Sequence, residues 1–206
     1  MVYLKFNLNG VVPVEILSDR FEKSMQRIGL QELPCAVFYT VPYGIRFQIG
    51  GEEDIYLGDH RKPNGAYIEN AVDRALKIYA QLPAKPDILR IDDCRGLCIP
   101  GLPKPNQQAG DSGYWQVQDE PSFLRKLFRE IVKAEIDATG MESLVSNVYF
   151  LNSQKNVMFH LYDDRGADVA AADKNILRPL YESCGEWILE HDREKIDSVF
   201  AGQKSF

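Results

Sequence analysis

Three short apolar runs near the C-terminus, "SNVYFLN", "NVMFHLY" and "ADVAA", follow one another with only "SQK" and "DDRG" between them. Connections this short cannot carry a parallel crossover, which takes a dozen residues or more. Neighbouring runs must therefore pair antiparallel, and residues 146–171 read as a meander. A sheet built this way needs its faces covered, and the rest of the chain supplies amphipathic helices to do it.

The clearest helix begins at Asn64, in "NGAYIENAVDRALKIYAQLP", where Ile68, Val72, Ala75, Leu76 and Tyr79 share one stripe. Glu120 and Pro121 open another, with Leu124, Leu127, Phe128, Ile131 and Ala134 facing inward. Phe21, Met25 and Ile28 mark a third, capped by Ser18 or Asp19 and ended by Gly29. Asp173 starts a helical stretch through Ile176, Leu177, Leu180 and Tyr181, in which Pro179 implies a short helix or a kink. "EWILEHDREKIDSVF" gives a last helix capped by Asp192.

Further strands are read at "VYLKFNL", at "YGIRFQIGG" with "DIYLG" as its expected partner, at "DILRID" and at "YWQVQ". Asp93 to Gly113 is a long Pro/Gly-rich internal loop without periodicity, expected to be mobile and to be cut first by a protease. The sum is a single α+β domain over residues 1–206, with a mixed, largely antiparallel sheet, a C-terminal meander and flanking helices.

Composition removes several functional classes. The chain has 206 residues and is 45% hydrophobic, enough for a real core. Its net charge of −6 and lack of any lysine or arginine run argue against a nucleic-acid surface. Lys5, Asn7, Asn9 and Pro13 interrupt the N-terminal apolar patches before a membrane span could form, so a cytoplasmic protein with no membrane partner is expected. Four cysteines are too few for a disulfide framework.

Chemistry-bearing residues concentrate in "MFHLYDDRGADVAA". His160, Tyr162, Asp163, Asp164, Arg165 and Asp168, with Arg178 farther on, are the candidate site. As a turn, the stretch needs an Asp carboxylate on backbone amides or on Arg165, and Gly166 in the left-handed region. That reading expects Asp168→Asn to be tolerated. As a site, Asp163, Asp164 and Asp168 would converge on a divalent ion beside His160, with Arg165 or Arg178 holding an anion. The turn is the preferred reading.

Cys94 and Cys98 lack the companions of a zinc site, Cys35 and Cys184 read as small core residues, and His60 and His191 as solvated side chains. No phosphate loop, serine elbow or dinucleotide fingerprint is present, so neither a cofactor nor a metal is expected.

Tyr162 to Gly166 with Asp168, then Arg178 to Tyr181, Trp187, Ile188 and "DREKID" resemble an uncharacterised bacterial family known only as a domain of unknown function. The resemblance implies one domain and no particular activity. Two functions remain in play: a non-catalytic module that binds another protein, of inhibitor or immunity type, with Tyr114 and Trp115 as anchors beside the loop, or a metal-assisted hydrolase or phosphoryl-transfer enzyme centred on the turn.

Overall fold

A computed structural model describes residues 12–58, 62–94, 108–109, 111–117, 121–137, 144 and 147–200. The elements run α1 (Val14–Ile28), β1 (Gly44–Gln48), β2 (Tyr56–Leu57), β3 (Lys62–Pro63), α2 (Gly65–Ala80), β4 (Ile88–Ile91), β5 (Gln108–Ala109), β6 (Ser112–Gln116) and α3 (Pro121–Ile136). β7 (Val148–Asn152), β8 (Val157–Leu161), β9 (Gly166–Ala171), α4 (Lys174–Ser183) and α5 (Arg193–Phe200) complete them.

Seven of the described strands form one sheet in the order β1-β9-β8-β7-β4-β6-β5. Every neighbouring pair is antiparallel. The fold is α+β, with β7, β8 and β9 as the meander. On one face, α2 and α3 bury Val72, Ile78, Phe128 and Ile131 against Phe47, Phe150, Phe159 and Val169. The Tyr79 ring meets Phe128, Phe150 and Phe159 edge-on, at 5.6, 5.4 and 5.5 Å between centroids. On the other face α1 packs Leu17, Phe21, Met25 and Ile28 over Ile88, Tyr114, Leu151, Met158 and Ala170. No described helix is long and apolar enough to cross a membrane.

Local chemistry sets several boundaries as the sequence suggests. The Asn64 side chain accepts from the Ala66 amide and caps α2, and Asp173 does the same for α4 through Asn175. Gly29 ends α1 at φ 101°, where a side chain would be strained. α4 runs through Pro179.

Other expectations are corrected. α1 starts at Val14 after Pro13, without a side-chain cap from Ser18 or Asp19. "DIYLG" does not pair with β1; β2 pairs with β3, and β1 takes β9 instead. A two-residue strand could not have matched the length of β1, whereas β9 pairs with all of it. Tyr114 and Trp115 are buried in the two cores, so neither is a surface anchor. Cys35 is exposed, whereas Cys94 and Cys184 are buried as small apolar groups. His191 is exposed, as expected. The "VYLKFNL" strand, His60, Cys98 and most of the 93–113 loop lie outside the described residues, and the end of that loop is β5, paired with β6.

Candidate functional site

The register lines up one polar row across the α1 face of the sheet. Arg46, Asp168, His160, Tyr149, Arg90 and Tyr114 stand directly opposite one another on β1, β9, β8, β7, β4 and β6. In the middle of the row Tyr149 stacks on His160 at 4.4 Å. At one end Arg90 binds Asp92 through Nε at 2.7 Å and Glu22 through a terminal nitrogen at 2.8 Å. At the other end Arg46 donates from Nε to Asp168 Oδ1 at 2.9 Å, and the Phe38 amide donates to Asp168 Oδ2 at 2.9 Å.

Asp168 is completely buried, and the Arg46 side chain is 10% exposed. Burial works against the Arg46 charge, but Asp168, with Tyr162 and Tyr39, outweighs it and raises the guanidinium pKa further. The guanidinium lies close to two rings, 4.6 Å from Tyr39 and 4.9 Å from Tyr162. Lys195 sits 4.5 Å from the Phe38 ring and 5.5 Å from the Tyr39 ring.

The turn between β8 and β9 is tied to itself. Asp163 Oδ1 accepts from the amides of Arg165 at 2.8 Å and Gly166 at 3.2 Å, and its other oxygen accepts from the Arg165 side chain. This is the self-bonded turn expected from the residue types. Gly166, however, is not in the left-handed region, where the described glycines are Gly29 and Gly58. The reason for glycine is space. A Cβ at 166 would stand 1.8 Å from the Tyr162 hydroxyl and 3.0 Å from the Phe47 carbonyl. The bare backbone lets Tyr162 fold over the strand and reach Arg46. Gly166→Ala should therefore displace the Tyr162 ring and cost about 1–3 kcal/mol, read as a lower melting temperature together with a changed Tyr162 environment by NMR. An unmoved ring at full stability would remove this explanation.

Asp163 and Asp164 gather without Asp168. Asp164 is buried and accepts from the Tyr67 hydroxyl at 2.7 Å, reaching toward α2. Asp163 and Asp164 come within 4.8 Å of Glu135 on α3, not of Asp168. Arg165 lies in that cluster, bound to Asp163 and 3.7 Å from Glu135. Arg178 is elsewhere, donating to the Phe200 carbonyl at 3.2 Å and tying α4 to α5. His160 faces Asp168 across the strands, as its strand position predicts.

Burial raises the Asp164 pKa, with the Tyr67 hydrogen bond opposing the shift. A raised folded-state pKa contributes stability below the ordinary carboxyl range, and that stability is lost as pH climbs through the folded value. Asparagine keeps an acceptor for Tyr67 and never ionises. Asp164→Asn should therefore melt above the parent at neutral pH, with the gap closing under acid, in a calorimetric pH series. A gap independent of pH would contradict the shift.

Around these groups a cleft of about 490 Å³ opens where β1 leaves the sheet and β8 turns into β9. Arg46, Gln48, Gly50, Gly51, Tyr67, Tyr162, Arg165 and Leu189 line it. The edge of β1 beyond it is closed by a bridge from Phe47 to Ile188 and by the Leu189 amide on the Arg46 carbonyl at 2.9 Å.

The family model described as "Domain of unknown function (DUF3885)" matches residues 19–97 and 99–192 of this chain. The chain belongs to that family. It is also similar to the uncharacterized protein YnaE of Bacillus subtilis (strain 168), 44% identical over 45 residues, which are 22% of this chain and 21% of that protein. The chain thus spans about a fifth of that curated relative's length. No solved structure matches it. The family's matched segments contain every residue that lines the cleft, together with Phe38, Tyr39, Asp163, Asp164 and Asp168.

Sequence reading found the turn but missed Tyr39, Arg46, Gln48, Tyr67 and Glu135. A signal existed for Arg46 alone. It interrupts the alternation of Ile45, Phe47 and Ile49 on the face opposite to theirs, in the middle of a buried strand.

Proposed function

We propose that this member of the DUF3885 family is a non-catalytic binding module that recognises another protein, with the cleft beside Arg46 as its point of engagement. The observation that carries the reading is the use to which the fold puts its acidic groups. Asp163 closes its own turn and holds Arg165, Asp168 bonds Arg46 at Nε and takes the Phe38 amide, and Asp164 is bonded by Tyr67. Groups so engaged set the positions of other side chains instead of meeting a substrate. Beside them Tyr39 is half exposed, an aromatic of the kind that anchors interfaces. An inhibitor or immunity role is the form such a module would take, working by occupation of a partner.

One observation favours the metal-assisted hydrolase reading: the approach of Glu135, Asp163 and Asp164. Arg165 already supplies the positive charge there. Titration with magnesium, manganese and calcium discriminates, and saturable binding lost in Asp164→Asn would favour the enzyme.

The binding reading is tested by crosslinked affinity capture from the source organism with the parent and with Tyr39→Glu. A discrete partner retained by the parent and lost by a folded variant is the expected result. Capture of nothing, or equal capture by both, would sink the reading.

A further inference from the structure

The cleft has a charge arrangement that specifies its ligand more narrowly than the binding role does. Among the described residues its charged lining side chains are both arginines, Arg46 and Arg165, and none is acidic. Asp163 and Asp168, the carboxylates bonded to them, are 2% and 0% exposed, while the half-exposed Glu135 stands 3.7 Å from Arg165. Glu53, at the rim over Gly51, is engaged by the Asn70 amide.

Arg46 is set for directional work. Asp168 takes its Nε at 2.9 Å, and the guanidinium side chain lines the cleft. The Tyr39 and Tyr162 rings lie 4.6 and 4.9 Å from the guanidinium and add cation–π contact to it. A planar pair of oxygens matches a guanidinium fork, as in arginine–carboxylate pairs. Gln48 and the Tyr67 and Tyr162 rings add an amide and aromatic walls. The volume suits a small group or one residue of a peptide. A net charge of −6 provides no long-range attraction for anions, which favours a single planar carboxylate over a polyphosphate.

We propose that the cleft is a carboxylate-binding site in which Arg46 receives the two oxygens, Arg165 adds a second positive charge at the mouth, and Tyr162 holds the ligand's apolar part. The proposal deepens the binding role and rests on it for the ligand's source: the carboxylate belongs either to a partner protein's chain end or to a free small acid.

The test is an NMR titration of the full chain with benzoate, benzamide, inorganic phosphate and N-acetylphenylalanine, following the amides of Gln48, Gly50, Gly51 and Arg165. Saturable shifts with benzoate and none with benzamide are expected. Arg165→Gln, whose side chain is 69% exposed in the parent, removes the charge while Asp163 keeps the amides of residues 165 and 166, and should weaken benzoate about fivefold. Arg46→Lys keeps the charge without the fork and should weaken it about tenfold or more. If that variant does not fold, Arg165→Gln alone carries the comparison.

Tighter binding of N-acetylphenylalanine than of benzoate assigns the source to a peptide end, and the reverse order assigns it to a small acid; either supports the site. No shift at these amides, equal response to benzamide, or phosphate binding as tight as benzoate overturns it. A cleft that takes benzoate while affinity capture recovers no protein would keep the carboxylate site and end the protein-partner reading. A partner captured without any carboxylate response would do the opposite.

Discussion

Asp168→Asn should destabilise the protein by about 3–5 kcal/mol, the cost of removing one member of a buried ion pair. Asp168 is 0% exposed, and its two oxygens meet the Arg46 Nε and the Phe38 amide, each at 2.9 Å. Asparagine offers one oxygen to these two donors and turns its NH2 group toward the other. Arg46 would then lose the carboxylate bonded to its Nε. The turn reading of "DDRGAD" makes this substitution harmless, because it gives Asp168, in the "ADVAA" strand, no long-range partner. In the fold, β9 pairs with β1 as well as β8, which puts Asp168 inside the sheet opposite Arg46.

Chemical denaturation of the variant measures the loss directly, and a midpoint equal to the parent's would show that the pair contributes nothing. Replacing both partners, Arg46→Met with Asp168→Leu, should recover much of the stability, since an apolar pair leaves no charge unmatched. That double variant should also lose the cleft's affinity for carboxylates, which separates the pair's role in stability from its role in binding.

Val72→Asp should prevent folding or cost more than about 4 kcal/mol, by placing an ionisable group where no partner can reach it. Val72 has no exposure and belongs to the core that α2 and α3 form over the sheet, in the same cluster as Ala75, Tyr79, Phe128 and Phe159. Far-ultraviolet circular dichroism and thermal melting report the outcome. A cooperative transition at the parent's temperature would place the α2 stripe on the wrong side of the helix.

These two substitutions mark how far the sequence could be read. The burial of Val72 follows from periodicity within one helix, and Asn64 as its cap follows from residue chemistry two positions away. The meander is equally local, because four residues or fewer between runs leave no other pairing. The Asp163 turn is local as well: its acceptors and donors lie within three residues. The reason for Gly166 was misread, because a glycine in a turn suggests left-handed backbone, and the space taken by the Tyr162 ring is invisible along the chain.

What the sequence determined by itself is therefore the set of interactions that close over short distances: the principal helices, the meander, the α+β class and the self-bonded turn. The tertiary structure alone decided the site. Arg46 and Asp168 are 122 residues apart, Phe38 and Asp168 are 130, and Tyr67 and Asp164 are 97. The first of these pairs exists because β1 joins the edge of the meander at β9, and the last because α2 covers the turn before β9, placements no local signal announces. The physical reason is that register in a sheet is set by which apolar faces must be buried together. Once Ile45 and Phe47 turn toward α2 and α3, Arg46 must emerge on the opposite face, where Asp168 already stands.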